Sequence, residues 1–164
     1  MAKKSIRETD VEGRRVLMRV DFNVPIEDGR ITDDSRIVKA LDSIRSVIDR
    51  GGRLILMSHL GRPKGKPDPA LSLRPVAEHL GSLIETPVKF VGDCIGALAD
   101  RAAAGLKPGG VLLLENLRFH AAETLIDKAK KNPDGRLTAE QQREINTFAA
   151  ALSQNADLYC NDAF

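Results

Sequence analysis

The sequence contains no tryptophan, and its aromatic complement is one tyrosine and five phenylalanines. Single-stranded nucleic acids are gripped by base stacking on aromatic platforms, which so thin a supply argues against. Charge of one sign is equally scarce: 25 Lys and Arg stand against 23 Asp and Glu, a formal net charge of +2. A surface that tracks a phosphate backbone needs a larger excess. Cysteine appears twice, as Cys94 and Cys160, with neither a CxxC pair nor metal-ligand spacing. That usage fits two half-buried thiols in a reducing compartment. No apolar run approaches the ~18 residues of a membrane span, and the N-terminus lacks the apolar stretch of a secretion signal. These absences predict a soluble, cytoplasmic protein with no membrane or nucleic-acid partner. What is present is globular in character: 42% hydrophobic and 29% charged over 164 residues. That length suits one domain with a real core and is too short for two ordinary ones.

Strand and helix signals alternate along the chain. Apolar runs at Arg15–Val20, Leu54–Met57, Val88–Val91, Val111–Leu114 and Leu158–Cys160 read as strands. Between them, Ile37, Leu41, Ile44 and Ile48 recur at helical spacing behind the cap-rich Thr32-Asp33-Asp34-Ser35, and Gly51-Gly52 ends that helix. Ser72 can cap a second helix with Val76, Leu80 and Leu83 inward. A third carries Ile95, Leu98, Ala102 and Leu106 and stops at Pro108-Gly109-Gly110. Thr138-Ala139-Glu140-Gln141 resembles a capping box opening a helix with Ile145, Phe148, Ala149 and Leu152 inward. The lysine-rich segment Ala121–Arg136, ending in Asn132-Pro133-Asp134-Gly135, reads as a solvated surface excursion. Strands separated by helices imply right-handed crossovers, and strands with little polar alternation imply burial on both faces. The fold expected over residues 1–164 is a single three-layer α/β/α domain with a parallel sheet.

Ligands of such sheets bind beyond the carboxyl ends of the strands. Three of those ends are polar: Arg19-Val20-Asp21-Phe22-Asn23, Ser58-His59-Leu60-Gly61-Arg62-Pro63 and Glu115-Asn116-Leu117-Arg118-Phe119-His120. Together they deliver an Asp, Asn, His and Arg set suited to a small anion bearing phosphate and hydroxyl groups. Each also has a plainer reading. Asp21 or Asn23 can form a side-chain turn before Pro25, or accept from and donate to a substrate hydroxyl. The Gly61–Gly65 loop lacks the spacing of a P-loop; it is either a rigid solvated loop or a place where His59 and Arg62 reach one phosphate. Its Gly-Arg-Pro core also suggests a minor-groove arm, although Leu60 stands where such arms carry a basic residue. Arg118 alone is an ordinary surface residue. Arg36 is either an exposed helix residue or a cation placed where a helix N-terminus already gathers anions. His79, Lys128, Lys130 and Lys131 read as surface or packing residues, and Met18 and Met57 as core.

Four segments in order carry a family resemblance. Arg19-Val20-Asp21-Phe22-Asn23-Val24-Pro25, Ser58-His59-Leu60-Gly61-Arg62-Pro63-Lys64-Gly65, Leu113 to His120, and Asn161-Asp162-Ala163-Phe164 resemble signatures of the amino-terminal half of phosphoglycerate kinase. The resemblance spans essentially the whole chain. It implies a Rossmann-like domain of a glycolytic transferase. That enzyme, usually monomeric, moves a phosphoryl group reversibly from 1,3-bisphosphoglycerate to ADP, giving 3-phosphoglycerate and ATP. It also implies a substrate set of Asp21, Phe22, Asn23, Arg36, His59, Leu60, Gly61, Arg62 and Arg118. In that set Asp21 and Asn23 meet the hydroxyl and carboxylate end. His59, Arg62 and Arg118 hold the 3-phosphate, and Arg36 is the catalytic arginine.

Two departures accompany the likeness. Ala121–Gln154 is longer than in many bacterial members, which implies a changed surface loop. Family members continue past the Asn-Asp-Ala-Phe signature with a Gly-Thr-Ala-His-Arg-type segment, whose Arg also binds the phosphate, and with a second domain for Mg-ATP or Mg-ADP. The expectation is therefore an incomplete phosphoglycerate domain: one half-site, no cofactor or metal bound by these residues, and no activity alone. The alternative from another class is a non-enzymatic module binding anions or nucleic acid through the Gly61–Lys66 loop.

Overall fold

The computed structural model describes residues 4–163, so Phe164 of the last signature lies outside the described residues. The first strand, β1 (Arg15–Arg19), is followed by a short hairpin, β2 (Ile26–Glu27) and β3 (Arg30–Ile31), whose turn places Asp28 and Gly29 at φ 48° and 73°. Helix α1 (Ser35–Ile48) leads to β4 (Arg53–Met57), and α2 (Arg74–Ile84) to β5 (Val88–Val91). Then come α3 (Ala97–Ala104), β6 (Val111–Leu114), α4 (Leu125–Ala129), α5 (Ala139–Ser153) and β7 (Leu158–Asn161). The five long strands form one parallel sheet in the order β5-β6-β4-β1-β7. This is the three-layer parallel architecture that the alternating signals predict.

Period-two geometry explains why the strands read as unbroken apolar runs. Val16, Met18, Leu54, Leu56, Val111 and Leu113 point to one face, where Ile37, Ile44 and Val47 of α1 and Val76 and Leu80 of α2 cover them. Leu17, Ile55, Met57, Leu112 and Leu114 point to the other, against Ala99 and Ala103 of α3 and Phe148 of α5. Both faces are covered, so neither tolerates a polar side chain.

Some sequence expectations fail locally. Leu98, expected on the inner face of α3, is 58% exposed, because the small Ala99 and Ala103 bring that helix close to the sheet instead. Ala149 is exposed too, with Phe148 as the buried residue of α5. The Ala121–Arg136 segment is no simple excursion. It opens with a 3-10 turn and α4, and Ala122, Leu125 and Ala129 are buried beneath its lysines. The capping box of α5 is present, with Thr138 Oγ1 accepting from Gln141 N–H at 3.1 Å and Gln141 Oε1 from Thr138 N–H at 2.9 Å.

Candidate functional site

The connections decide where a ligand can enter. The chain leaves β1 and β4 toward the α1 and α2 face, and leaves β5 and β6 toward the α3 and α5 face. Adjacent strands β4 and β6 therefore send their connections to opposite sides, opening a crevice at their carboxyl ends. The turns that border it are Ser58–Arg62 after β4 and Glu115–Arg118 after β6, with Asp21–Asn23 beside them after β1.

A buried polar scaffold holds these turns. Asn116, fully buried, accepts from the N–H groups of Leu60 (3.1 Å) and Arg118 (3.0 Å) and donates to the carbonyls of Leu60 (2.7 Å) and Leu71 (2.9 Å). Ser58 Oγ accepts from Phe22 N–H at 2.9 Å and donates to the His59 carbonyl at 3.0 Å. Glu115 accepts from the N–H groups of Leu73 (2.9 Å) and Asn116 (2.8 Å) and from Ser72 Oγ (2.7 Å), which moors the start of α2. Backbone groups that a strand end leaves unpaired are thus satisfied by side chains.

Phe22 and Leu60 belong to this scaffold. Their side chains are 0% and 3% exposed, and their N–H groups are taken by Ser58 and Asn116. Burial in the core leaves their side chains nothing to offer a ligand, so the part they can play is to set the directions of Asp21, Asn23 and His59. Gly61 is fixed similarly: its N–H donates to Asn23 Oδ1 at 2.9 Å and its carbonyl accepts from Arg118 Nη1 at 3.1 Å. Its φ of 61°, and a hypothetical Cβ lying 2.7 Å from Leu71 Cδ2, explain the glycine.

The polar tips form two clefts. Arg36 Nη1 donates to Asp21 Oδ2 at 2.7 Å, and Asp21 Oδ1 accepts from Asn23 N–H at 3.2 Å, so the turn reading and the Arg36 pairing are both realised on one carboxylate. Asp21 and Arg36 line a cleft of about 280 Å³ with Lys39 and Asp162. Asp162 is steadied by Ser43 Oγ at 2.9 Å. A second cleft, of about 520 Å³, is lined by Arg62, Lys64, Arg118, Lys128 and Lys131, with Asp127 as its acid. Arg118 Nε lies there buried and without a hydrogen-bond partner among the described residues. His59 is among the lining residues of neither cleft, but the charges of Arg118 and Asp21 both act on it. Its pKa is held below 6.5, first by burial and then by the cations Arg118 and Arg19, while Asp21 and Glu123 pull the other way.

Sequence reasoning missed Lys39, Asp162, Lys128 and Lys131 as neighbours of these arginines. Lys39 was accessible in principle, three residues after Arg36 on one helix face. Lys128 and Lys131 were not, because only the fold of α4 brings them to Arg62. Arg19 is tied to Glu123 at 2.7 Å and braces the site rather than opening into it. The Gly61–Lys66 loop is no free arm: Gly65 N–H donates to the Arg118 carbonyl at 3.2 Å, and Pro63 is buried.

Comparisons with known proteins agree in direction. The family model "Phosphoglycerate kinase" matches residues 6–164. The phosphoglycerate kinase of Chlorobaculum tepidum is 52% identical over 165 residues, covering 100% of this chain and 37% of its own length. That of Moorella thermoacetica is 50% identical over 164 residues, again with 100% and 37% coverage. Among solved structures, phosphoglycerate kinase from Pyrococcus horikoshii OT3 superposes with a TM-score of 0.75 at 29% identity, covering 95% of this chain and 35% of that one. The Coxiella burnetii structure gives 0.69 at 29% identity, with 95% and 34% coverage. The chain spans little more than a third of the length of the curated relatives it matches.

Proposed function

The chain belongs to the phosphoglycerate kinase family, and we propose that its crevice is the phosphoglycerate half-site of that enzyme. The family reaction is reversible phosphoryl transfer from 1,3-bisphosphoglycerate to ADP. The observation that supports the assignment is the cleft where Arg62 and Arg118, from different strand ends, face one space, with His59 near enough for the charges of Arg118 and Asp21 to act on it. Arginine forks suit a phosphate, and the buried Arg118 Nε, without a partner among the described residues, leaves that guanidinium with a donor still unsatisfied. In this reading Arg62, Arg118 and His59 hold the 3-phosphate, and Asp21 and Asn23 orient the hydroxyl and carboxylate end. Arg36, half exposed beside Asp21, neutralises charge on the phosphoryl group in transfer.

The chemistry asks little else of these residues. In the ATP-forming direction the leaving group is a carboxylate, and in reverse the attacking group is one. A carboxylate is already ionised at neutral pH, so no general base is needed, and positioning and charge stabilisation carry the catalysis. The family uses Mg-nucleotide as co-substrate. Among the described residues the cluster of metal-donor side chains is Asp93, Cys94 and His120, a set with sulfur and nitrogen that does not suit magnesium's preference for oxygen. The 164 residues by themselves are therefore expected to bind phosphoglycerate and to form no ATP.

Calorimetric titration with 3-phosphoglycerate tests the half-site. The expected result is weak, salt-sensitive binding that the double variant Arg62→Ala, Arg118→Ala abolishes. Equal heats from the two proteins would overturn the assignment. A coupled assay that detects robust ATP formation from this chain alone would overturn the expectation of inactivity.

A further inference from the structure

Outside the phosphoglycerate crevice, the turn after β5 and the segment after β6 bring three chemically different donors together. The carboxylate of Asp93, the thiol of Cys94 and the imidazole of His120 place one ligand atom each so that all lie within 4.8 Å of one another. No linear motif announces this set, because 25 residues and an entire helix separate Cys94 from His120 in the sequence. Its parts are pre-positioned. His120 lies on Phe148, ring centroids 5.2 Å apart and planes 32° from parallel, which turns Nε2 onto Asp93 Oδ1 at 2.7 Å. Asp93 Oδ1 is fixed in turn by the Cys94 N–H at 2.7 Å. The Cys94 thiol is buried in the core, 1% exposed, while Asp93 and His120 are partly exposed and line the adjoining cleft of about 510 Å³ together with Ser72 and Glu115.

We propose that Asp93, Cys94 and His120 bind a zinc-class divalent cation, with a water molecule from the adjoining cleft as fourth ligand. The donor set selects the metal. Sulfur and imidazole disfavour magnesium and calcium and favour zinc or cobalt. The spacing is close to what coordination needs. Tetrahedral zinc sites, with metal–donor bonds of ~2.0–2.3 Å, hold their donor atoms roughly 3.3–3.7 Å apart. The Asp93–His120 contact must open slightly and the thiol must draw nearer. Rotation of two partly exposed side chains supplies both adjustments.

The charges that act on Cys94 are acidic, although Arg74 also lines the cleft. Burial first, and then the charges of Asp93, Glu123 and Glu115, push its thiol up to about 12. Without metal the thiol stays protonated. On binding, the thiol proton leaves to solvent, so affinity rises with pH. An occupied site would staple the β5–α3 turn to the segment that follows Arg118.

Titration of the chain with Co²⁺ alone, under reducing conditions, tests the proposal. The expected result is saturation at one equivalent, with the near-ultraviolet absorption of thiolate-to-cobalt charge transfer. Cys94→Ser should abolish that band. His120→Gln, at a partly exposed position that the fold tolerates, should weaken Co²⁺ binding at least ~10-fold. Cys160→Ser should change neither. Absence of the band in the folded protein, its survival in Cys94→Ser, its loss in Cys160→Ser, or unaltered affinity in His120→Gln would each overturn the assignment. None of these readouts depends on phosphoglycerate binding.

Discussion

Asn116 brackets Leu60: its Oδ1 accepts the Leu60 N–H at 3.1 Å while its Nδ2 donates to the Leu60 carbonyl at 2.7 Å. Two further bonds, from the Arg118 N–H and to the Leu71 carbonyl, make this amide the joint between the turns after β4 and β6. An alanine at this position leaves four backbone groups without their partner in a fully buried place. Each such group costs about 1–3 kcal/mol, and water admitted to the gap recovers part of the sum. Asn116→Ala is therefore expected to destabilise the domain by about 3 kcal/mol or more, read from urea denaturation. Loss of less than about 1 kcal/mol would show that the joint is not structural.

The Asp21–Arg36 pair separates affinity from stability. The Arg36 side chain is 50% exposed and that of Asp21 24%, so solvent reaches the pair and it adds at most about 1 kcal/mol to folding. Its 2.7 Å contact nonetheless aims Arg36 across the cleft that Lys39 and Asp162 complete. Asp21→Asn should leave the melting temperature nearly unchanged while weakening 3-phosphoglycerate binding roughly 10-fold, about 1.4 kcal/mol. Calorimetry and thermal melts on one preparation decide between the two roles.

Gly65 controls the loop that carries Arg62. Its φ of 80° disfavours any side chain, and an added Cβ would stand 3.0 Å from Ala121 Cβ and 3.1 Å from its Cα. Gly65→Ala is expected to cost about 1–3 kcal/mol and to loosen phosphoglycerate binding by displacing the loop from Ala121. A variant with wild-type stability and affinity would show that loop and insertion move independently.

The sheet and the strand-end polar residues were legible in the sequence because each obeys a local rule. Val16, Leu54 and Val111 sit in runs that only a doubly covered strand allows, and Asp21, His59 and Arg118 follow those runs directly. What was not legible depends on distant chain. The hairpin strands Ile26–Glu27 and Arg30–Ile31 are too short to show a period, although Asp28-Gly29 is a strong turn signal. The lysines of 128–131 dominate the reading of their segment, while Ala122, Leu125 and Ala129, the residues that anchor it, are few and small. Leu98 misled for the opposite reason: a large apolar residue implies the inner face, but the packing selected the alanines beside it.

His59 makes the electrostatics of the site measurable. Its pKa lies below 6.5, through burial first and Arg118 and Arg19 next. The sign follows. The folded state holds this proton less tightly than the unfolded state. The histidine therefore costs no stability above ~6.5, and stability declines as pH falls from there through the folded value. Removing one cation should relieve the shift, so Arg118→Ala should move the His59 titration, followed by NMR, upward. A phosphate dianion bound nearby should do the same. Binding below pH ~6.5 should then take up protons, seen as a calorimetric heat that varies with buffer ionisation enthalpy. A His59 midpoint that ignores both changes would place the phosphate elsewhere.

At the opposite end of the sheet, Asp157 accepts from the backbone N–H of Arg15 at 2.9 Å and from its Nη2 at 3.0 Å, fastening β7 to β1. The Arg15 side-chain hydrogen bond, followed by the backbone one, lowers the Asp157 pKa to about 2. A depressed carboxylate stabilises the fold above its unfolded value of ~3.9, and that contribution disappears as pH falls through the folded one. Solvent screens the pair, whose side chains are 29% and 40% exposed. Its worth is accordingly about 1 kcal/mol or less, well short of what the full shift implies. Asp157→Asn should lower the urea midpoint at neutral pH, and the gap from the parent protein should shrink steadily between pH ~4 and ~2. A gap of constant size across that range, or no gap at all, would mean that the charge of the aspartate contributes nothing, since an asparagine oxygen still accepts the backbone hydrogen bond.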